Sequence, residues 1–434
     1  MAYTETTTTG YGTRVGNSFK SIGTGFILFC AATALLWWNE GRAVKTAKML
    51  EEAGSSYVEM PNPGKIDASL DGELICGTAM ATTEDSLMDK EFGIGAKAIA
   101  IKRHVEYYQW VEHSESKSED KLGGKEVTTT TYTYSQQWVS SPVQSSQFKD
   151  PAYQNKNTVL ATVEDAEQYA ENVAFGAYKL NESLIHSISS KEAMELAISD
   201  DLLKQLDKNA QTAYERFYGV QNKKDYDYIH VAGNVLYYGK VPGSPQVGDV
   251  RVTFEKIVPA KVTVMAVVDG DTFKPFKAKN GKRFETLVMG KKTGDEIIED
   301  AQDANSMWTW MLRIVGIMLV ISALKMIFGF LSMILKVVPF LASIMGFGVG
   351  IVCTVIGVVW SLIVIAIAWI FYRPVLGIIL LLIAGFLVWV FAFKGKEKLK
   401  EIAAKAKNKA QQPVPAAAPT GETTTMTSND NIEA

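Results

Sequence analysis

In LLWWNEGRAVKTAKMLEEA, residues 35–53, an apolar run changes directly into a charged segment. Trp37 and Trp38 end the apolar run, and indole side chains favour the membrane–water interface. The charged segment that follows carries small and apolar residues at helical spacing. The stretch therefore predicts a helix that leaves a bilayer at the tryptophan pair and continues beyond it.

Four segments of the chain are apolar and long enough to cross a bilayer, which takes about 20 residues of helix. The predicted crossings are 21–38, 308–330, 350–371 and 375–393. The first is interpreted as an uncleaved signal anchor, since its tryptophans stand where a cleavage site needs small residues. The interrupted segment 331–349 is interpreted as interfacial or re-entrant, with a long tilted third crossing as the alternative.

Lysine and arginine in the flanking segments predict the orientation, because they accumulate on the cytoplasmic side. The N-terminal tail, 1–20, carries two basic residues against one acidic residue. The C-terminal segment, 394–434, begins with a lysine-rich stretch and continues as a sequence typical of disorder. Both ends are therefore predicted to be cytoplasmic, which requires an even number of crossings. Residues 39–307 are then predicted to lie outside the cytosol.

The extracytosolic region has the pattern of a β-rich domain. Alternating segments at about 97–112 and 125–141 predict a long hairpin, and residues 190–207 predict a helix. Two stretches, beginning SLDGELICG and HVAGNVLYYG, share an order of strand, glycine turn, polar loop and strand. They represent either a duplicated β-unit or ordinary strand pattern. The predicted fold class is a multi-pass α-helical membrane protein with four crossings and a large β-rich α+β domain outside the cytosol.

Four charged residues fall at the predicted outer edge of the membrane. They are Glu40, Arg42, Arg313 and Arg373. A charge near hydrocarbon is costly unless it pairs or reaches the headgroups. Our hypothesis is a charged layer in which Glu40 pairs with Arg313 or Arg373 and locks the helices under the β-rich domain. The alternative is that each side chain extends separately into the headgroup layer.

Three further groups of residues have expected membrane roles. The tryptophans at the predicted outer edge are interpreted as interface anchors: Trp37, Trp38, Trp308 and Trp310. Lysines after the last crossing are expected to contact anionic lipid or to act only as a stop-transfer flank: Lys394, Lys396, Lys398 and Lys400. Glycines before the third crossing permit close helix packing, within one chain or between subunits: Gly346, Gly348 and Gly350.

The chemistry-bearing residues do not form a recognisable catalytic or metal-binding pattern. The chain has 3 cysteines and 4 histidines, without the close pairs that zinc sites use. Its formal net charge of −3 argues against nucleic acid as a partner. We therefore predict no metal and no cofactor, and we expect a non-enzymatic protein.

Several stretches occur together in one order: LLWWNEGRAVKTAK, YYQWVE, VGDVRVTF, NSMWTWMLRIVGIM and WIFYRPVLGIIL. In this combination the chain resembles the LUMA family, also called the transmembrane protein 43 family, from about residue 20 to 393. The resemblance implies four crossings, a large lumenal or extracytosolic domain, and cytoplasmic or nucleoplasmic ends. For eukaryotic members it also implies self-association and binding to emerin and lamins. The lysine-rich tail and threonine-rich ends of this chain depart from the animal members.

Three function classes follow from these observations. The first is a non-enzymatic, self-associating scaffold that organises membrane lipids or membrane protein complexes. The second is an enzyme or accessory factor of lipid metabolism at the outer membrane interface. The third, a transporter, is the least favoured because no inverted repeat is evident. The expected location is the inner membrane of a bacterium, or the endoplasmic reticulum or inner nuclear membrane of a eukaryote.

Overall fold

The computed structural model describes residues 3–219, 227–334 and 339–372, together with 378–379, 382–383, 385–387 and 389–390. For 331–334 and 339–347 it describes the backbone only. The helices are α1 (Tyr11–Ser56), α2 (Glu182–His186), α3 (Asp200–Tyr218), α4 (Gly294–Ile334) and α5 (Pro339–Tyr372).

Three of these helices are long and apolar enough to cross a membrane, over Tyr11–Ser56, Gly294–Phe330 and Gly348–Tyr372. They contain the first three predicted crossings. The fourth predicted crossing, 375–393, falls mostly outside the described residues. The protein therefore has three candidate membrane helices in its described part, joined to a large β-rich region.

The membrane helices extend well past the predicted crossings. Helix α1 has 46 residues, about 69 Å at about 1.5 Å per residue, and it begins ten residues before the predicted crossing. Helix α4 has 41 residues and joins the second crossing to a polar helix before it. Helix α5 begins at Pro339, within the segment 331–349.

The three membrane helices alternate in direction. Helix α1 packs antiparallel to α4, since Leu36 lies against Gly316 while Gly25 lies against the Ala323 carbonyl. Helix α1 is parallel to α5, since Trp360 Nε1 donates to Thr33 Oγ1 at 3.1 Å while Gly41, later in α1, lies against Tyr372, later in α5. The end of α1, the start of α4 and the end of α5 therefore meet on the side of the β-rich region.

The described chain has 19 strands, one of which precedes α1 while the other 18 lie between α1 and α4, in the β-rich region. They are β1 (Tyr3–Thr9), β2 (Val58–Met60), β3 (Leu74–Thr83), β4 (Ser86–Asp89), β5 (Ile94–Lys97), β6 (Ala100–Asp120), β7 (Glu126–Val139), β8 (Ala166–Tyr169), β9 (Val173–Phe175), β10 (Tyr178–Lys179), β11 (Lys191–Ala193), β12 (Ile229–Ala232), β13 (Val235–Tyr238), β14 (Val250–Ile257), β15 (Ala260–Asp269), β16 (Thr272–Lys274), β17 (Phe276–Lys277), β18 (Arg283–Phe284) and β19 (Thr286–Met289).

These strands form two main sheets. The first has the order β1-β7-β6-β14-β13-β12, with β11 beside β14 and β8 beside β6. The second has the order β10-β9-β3-β15-β16, with β19 beside β15 and β2 beside β3. A core of buried apolar side chains joins them, in which Phe92 and Phe254 meet edge to face at 5.4 Å.

The predicted hairpin is present as β6 and β7, but its first strand is longer than predicted. Residues 113–120, which read as a polar loop, continue the strand to Asp120. Hydroxyl pairs across the hairpin hold this polar part, including Ser116 with Thr130 at 2.9 Å and Ser118 with Thr128 at 2.8 Å. Cross-strand hydroxyl pairs support a sheet without apolar alternation, which is why hydropathy missed it.

Two other sequence predictions for the β-rich region were wrong in detail. The helix predicted at 190–207 is α3, ten residues later, because the Ser199 side chain accepts from Leu202 N and caps the helix there. The two similar stretches do not form matching units. In the first, β3 and β6 belong to different sheets, whereas in the second β13 and β14 are hydrogen-bonded neighbours. The structure gives the duplicated unit no support.

The outer ends of α1 and α4 are built into the second sheet. Leu50 and Ala53 of α1 and Ile297 of α4 are buried against Leu74 of β3 and Met265 of β15. Apolar burial of this kind holds the helix ends in a fixed position under the sheet. The helices and the β-rich region thus share one core where the chain leaves the apolar segments.

Candidate functional site at the membrane edge

Glu40 forms the centre of a charged cluster where α1, α4 and α5 meet. Its side chain is 1 % exposed. Arg313 of α4 donates to it twice, from Nε to Oε1 at 2.6 Å and from Nη2 to Oε2 at 2.7 Å. Trp369 of α5 donates its indole N–H to Oε2 of the same carboxylate. One buried carboxylate therefore binds donors from both other membrane helices.

Two indole rings enclose the guanidinium of Arg313. Its Cζ lies 4.8 Å from the ring centroid of Trp310 and 5.2 Å from that of Trp369. The flat, weakly hydrated guanidinium suits both the two-point contact with a carboxylate and the aromatic faces. The pair is consequently satisfied by hydrogen bonds and shielded from water, the condition under which a buried ion pair is tolerated.

Arg42 takes part in a second hydrogen-bond network, one turn of α4 away from Arg313. Its partners in this network are uncharged. It donates to Asn305 Oδ1 at 3.1 Å and to Thr309 Oγ1 at 3.0 Å, both on α4. The buried Asn39 donates to the Thr309 carbonyl at 3.0 Å, and Asn305 returns a bond to the Ala43 carbonyl at 3.1 Å. This network joins α1 to α4 just outside the ion pair.

Gly41 lies between these two networks and allows α5 to approach α1. A Cβ atom at this position would lie 2.8 Å from Tyr372 Oη, closer than such atoms come in proteins. The four consecutive residues Asn39, Glu40, Gly41 and Arg42 thus provide an amide, a carboxylate, a gap and a guanidinium. Each faces a neighbouring helix, which gives this short stretch its role in joining the bundle.

The other predicted site residues fall in different surroundings. The four predicted interface anchors, Trp37, Trp38, Trp308 and Trp310, are all exposed on the helix surfaces near the cluster. Gly348 and Gly350 have no atom within 4 Å of an added Cβ, so neither packs against another described helix. Three sets of predicted residues lie outside what the structure describes: Arg373, the side-chain surroundings of Gly346, and the lysines 394, 396, 398 and 400.

Sequence reasoning missed several members of the cluster. Trp369, Asn305 and Thr309 were not predicted, although Trp369 lies in the WIFYRP stretch at the outer end of its helix. The glycines that do pack closely also differ from the predicted ones. An added Cβ at Gly316 or Gly357 would lie 2.5 or 2.7 Å from a neighbouring side chain.

An open cavity of about 490 Å³ lies beside the cluster. The residues that line it include Glu40, Ser306, Trp310, Arg313 and Trp369. Among the described residues, no group of three or more His, Cys, Asp or Glu side chains is placed to hold a metal ion. The cavity thus combines aromatic faces with a paired carboxylate and guanidinium at the expected headgroup level.

Comparisons with known proteins identify the family. The sequence model described as Transmembrane protein 43 matches residues 107–374, more than half of the chain. The chain is 29 % identical to Transmembrane protein 43 of Mus musculus over 375 residues, which cover 84 % of this chain and 88 % of that protein. It is 29 % identical to the Homo sapiens protein over 386 residues, with 87 % and 90 % covered.

A Transmembrane protein 43 homolog of Drosophila melanogaster is 24 % identical over 364 residues, which cover 82 % of this chain and 90 % of that protein. No solved structure matches the chain. The matched residues include Arg313 and Trp369. The chain belongs to the transmembrane protein 43 family.

Proposed function

We propose that this protein is a non-enzymatic, self-associating membrane scaffold that organises membrane lipids or membrane protein complexes. The observation that carries the proposal is the cluster around Glu40, which binds donors from α4 and α5 and so joins three membrane helices. The same helices enter the core of the second sheet. Such a unit is rigid, and it presents a large β-rich surface from a fixed membrane base.

The proposed topology has four crossings, with both chain ends in the cytoplasm and the β-rich region outside it. The alternating directions of α1, α4 and α5 support three membrane crossings up to Tyr372. A fourth crossing at 375–393 would then bring the chain back to the cytoplasmic side. The lysine-rich segment at 394–409 supports a cytoplasmic end. Lys394, Lys396, Lys398 and Lys400 are proposed to contact anionic lipid there, each contributing about 1 kcal/mol.

The proposed host membrane differs between the two kinds of cell in which such a chain would occur. In a bacterium it is the inner membrane, and in a eukaryote the endoplasmic reticulum or inner nuclear membrane. Other membrane proteins are the proposed partners, together with further copies of this chain. The β-rich surface outside the cytosol is the part available to them.

Native mass spectrometry of the gently solubilised protein tests the scaffold proposal, because it gives subunit number and bound lipid together. We expect a defined oligomer that retains lipid only peripherally. A monomer that carries one tightly held lipid would contradict self-association. It would favour the second candidate, an enzyme or accessory factor of lipid metabolism.

The cavity beside the cluster is the observation that favours the second candidate. Its two indoles and its Glu40–Arg313 pair offer both aromatic and charged contacts to a lipid headgroup. Ser306→Leu would fill part of the cavity without removing any group of the ion pair. If the tightly held lipid disappears from the spectrum of this variant while the fold is kept, the lipid binds there.

A further inference from the structure

The edge of β7 from Glu126 to Tyr132 carries an inference about how copies of this chain associate. We propose that in a membrane this edge pairs antiparallel with the β7 edge of a second copy, forming a two-fold contact. The proposal rests on the self-association proposed above and names the surface responsible.

The edge already accepts an antiparallel strand. β1 pairs with it over seven residues, from Tyr3 opposite Tyr132 to Thr9 opposite Glu126. The rings of Tyr3 and Tyr132 lie 6.2 Å apart, and the Tyr132 hydroxyl donates to Glu5 at 3.2 Å. The backbone of β7 is therefore extended and regular along this edge, with side chains suited to a polar, threonine-rich partner.

Its present neighbour is attached to the far end of α1. Only Gly10 separates β1 from the helix, and Arg14 in the first turns of α1 pairs with Asp120 at 2.6 Å near the tip of the hairpin. From Arg14 to Glu40, α1 is about 39 Å long at about 1.5 Å per residue. This length exceeds the roughly 30 Å of bilayer hydrocarbon. A bilayer around α1 would lie between β1 and the body of the β-rich region.

The outer half of the hairpin cannot follow α1 through that hydrocarbon. Its exposed side chains include Glu115, Lys117 and Glu119, and charges inside a bilayer are strongly disfavoured. Among the described strands, β14 pairs with β6 only as far as Tyr107, so the rest of that edge would face lipid with unpaired backbone groups. When α1 spans a bilayer, β1 and β7 are therefore on opposite sides, and the β7 edge is open.

A second β7 reproduces the chemistry of β1. Residues 128–131 of β7 are four threonines, as are residues 6–9 of β1. With the two-fold axis at Thr129, Thr128 faces Thr130 of the second copy and Glu126 faces Tyr132. That last pair again brings a carboxylate to Tyr132, directly opposite it rather than at the diagonal position that Glu5 occupies now. Open strand edges readily take a further strand, and a two-fold contact uses the same surface on both copies.

The two copies occupy one membrane with their hairpins along its outer surface. A two-fold axis along the membrane normal relates two strands as antiparallel only if the strands are perpendicular to the axis, that is, parallel to the membrane plane. The hairpin, excluded from the hydrocarbon, is free to lie in this plane. Its polar side chains then remain in water.

Cysteine crosslinking in intact membranes tests the pairing. In a background with Cys30→Ser, Cys76→Ala and Cys353→Ala, Thr129→Cys is oxidised with copper phenanthroline and separated without reductant. We expect a crosslinked dimer at several times the yield of Ser116→Cys, an exposed position on the other strand of the hairpin. Thr128→Cys alone should crosslink poorly, and co-expression with Thr130→Cys should restore the dimer.

Each other result has a definite meaning. An internal crosslink in the double variant Thr6→Cys, Thr129→Cys would place β1 on β7 in the membrane and overturn the proposal. An oligomer by native mass spectrometry that fails to crosslink at Thr129 would overturn this interface and leave the scaffold standing. A monomer would overturn both. Dimers that form only between mixed membrane vesicles would place the contact between facing membranes and overturn the arrangement within one membrane.

Discussion

Arg313 of α4 donates two hydrogen bonds, of 2.6 and 2.7 Å, to the buried carboxylate of Glu40 on α1. The two residues are 273 positions apart in sequence, with the whole β-rich region between them. The pair therefore joins the helix that enters this region to the helix that leaves it. Its strength decides whether the base of the β-rich region is a single rigid unit.

Loss of either partner should destabilise the protein strongly. Removal of one member of a buried ion pair leaves the other charge without compensation, at a cost of about 3–5 kcal/mol. We expect Glu40→Gln to lower the thermal unfolding midpoint in detergent by many degrees. Glu51→Gln, an exposed carboxylate on the same helix, is the matched control and should change the midpoint little.

The reversed pair distinguishes pairing from separate solvation. Glu40→Arg and Arg313→Glu should each be severely destabilising alone, and the double variant should recover part of the loss. Such recovery is a coupling energy between the two sites. A double variant no more stable than either single variant would show that each side chain is solvated independently by the headgroup layer.

Trp369→Phe should weaken the cluster while keeping most of its packing. The substitution removes the indole N–H that donates to Glu40, and a hydrogen bond to a charged group contributes about 1.5–3 kcal/mol. Trp360→Phe is the control, because that indole donates only to the neutral hydroxyl of Thr33. Equal losses of unfolding free energy in the two variants would contradict a special role for the carboxylate.

Gly41→Ala should disturb the contact between α1 and α5. The new methyl group would meet Tyr372 Oη at 2.8 Å, and overpacking of this kind costs about 1–3 kcal/mol. Tyr372→Phe in the same chain should restore part of the stability by removing the hydroxyl. Gly348→Ala, where an added Cβ meets nothing within 4 Å, should be neutral or slightly stabilising in the thermal unfolding assay.

The sequence allowed part of the charged cluster to be predicted. Glu40 follows the first predicted crossing and Arg313 lies near the start of the second, so hydropathy and crossing direction place them at the same membrane level. Trp369 could not be found in this way, because its contact depends on the rotation and register of α5 against α1. Those follow from side-chain packing across helices, including Leu36 on Gly316, and a hydropathy profile does not contain that information.

The β-rich region shows the same limit. Alternating apolar residues predicted the inner half of the hairpin, whereas its outer half is held by hydroxyl pairs such as Ser116 with Thr130. The helix at 190–207 was placed too early because its apolar spacing begins before the Ser199 cap. Local hydrogen bonds therefore set the outer end of the hairpin and the first residue of α3. The hydropathy pattern of each segment gave only its approximate position.

Tyr57 gives a pH dependence to the junction between α1 and α4. Burial, followed by the hydrogen bond that the Tyr57 hydroxyl donates to Asp295 at 2.9 Å, raises the pKa of Tyr57 to about 12. An unfolded tyrosine has a pKa of about 10. The folded state thus holds this proton more tightly, so the stabilisation is complete below about pH 10 and is lost as the pH rises through about 12.

Unfolding measured in detergent from pH 9 to 12 checks this dependence. We expect the unfolding midpoint of the wild-type protein to fall more steeply above pH 10 than that of Tyr57→Phe, which has no hydroxyl to ionise. Asp295→Asn should give an intermediate slope, since it removes the negative charge while the burial of Tyr57 remains. If Tyr57→Phe follows the wild-type slope throughout, other tyrosines control the alkaline loss of stability and the junction does not.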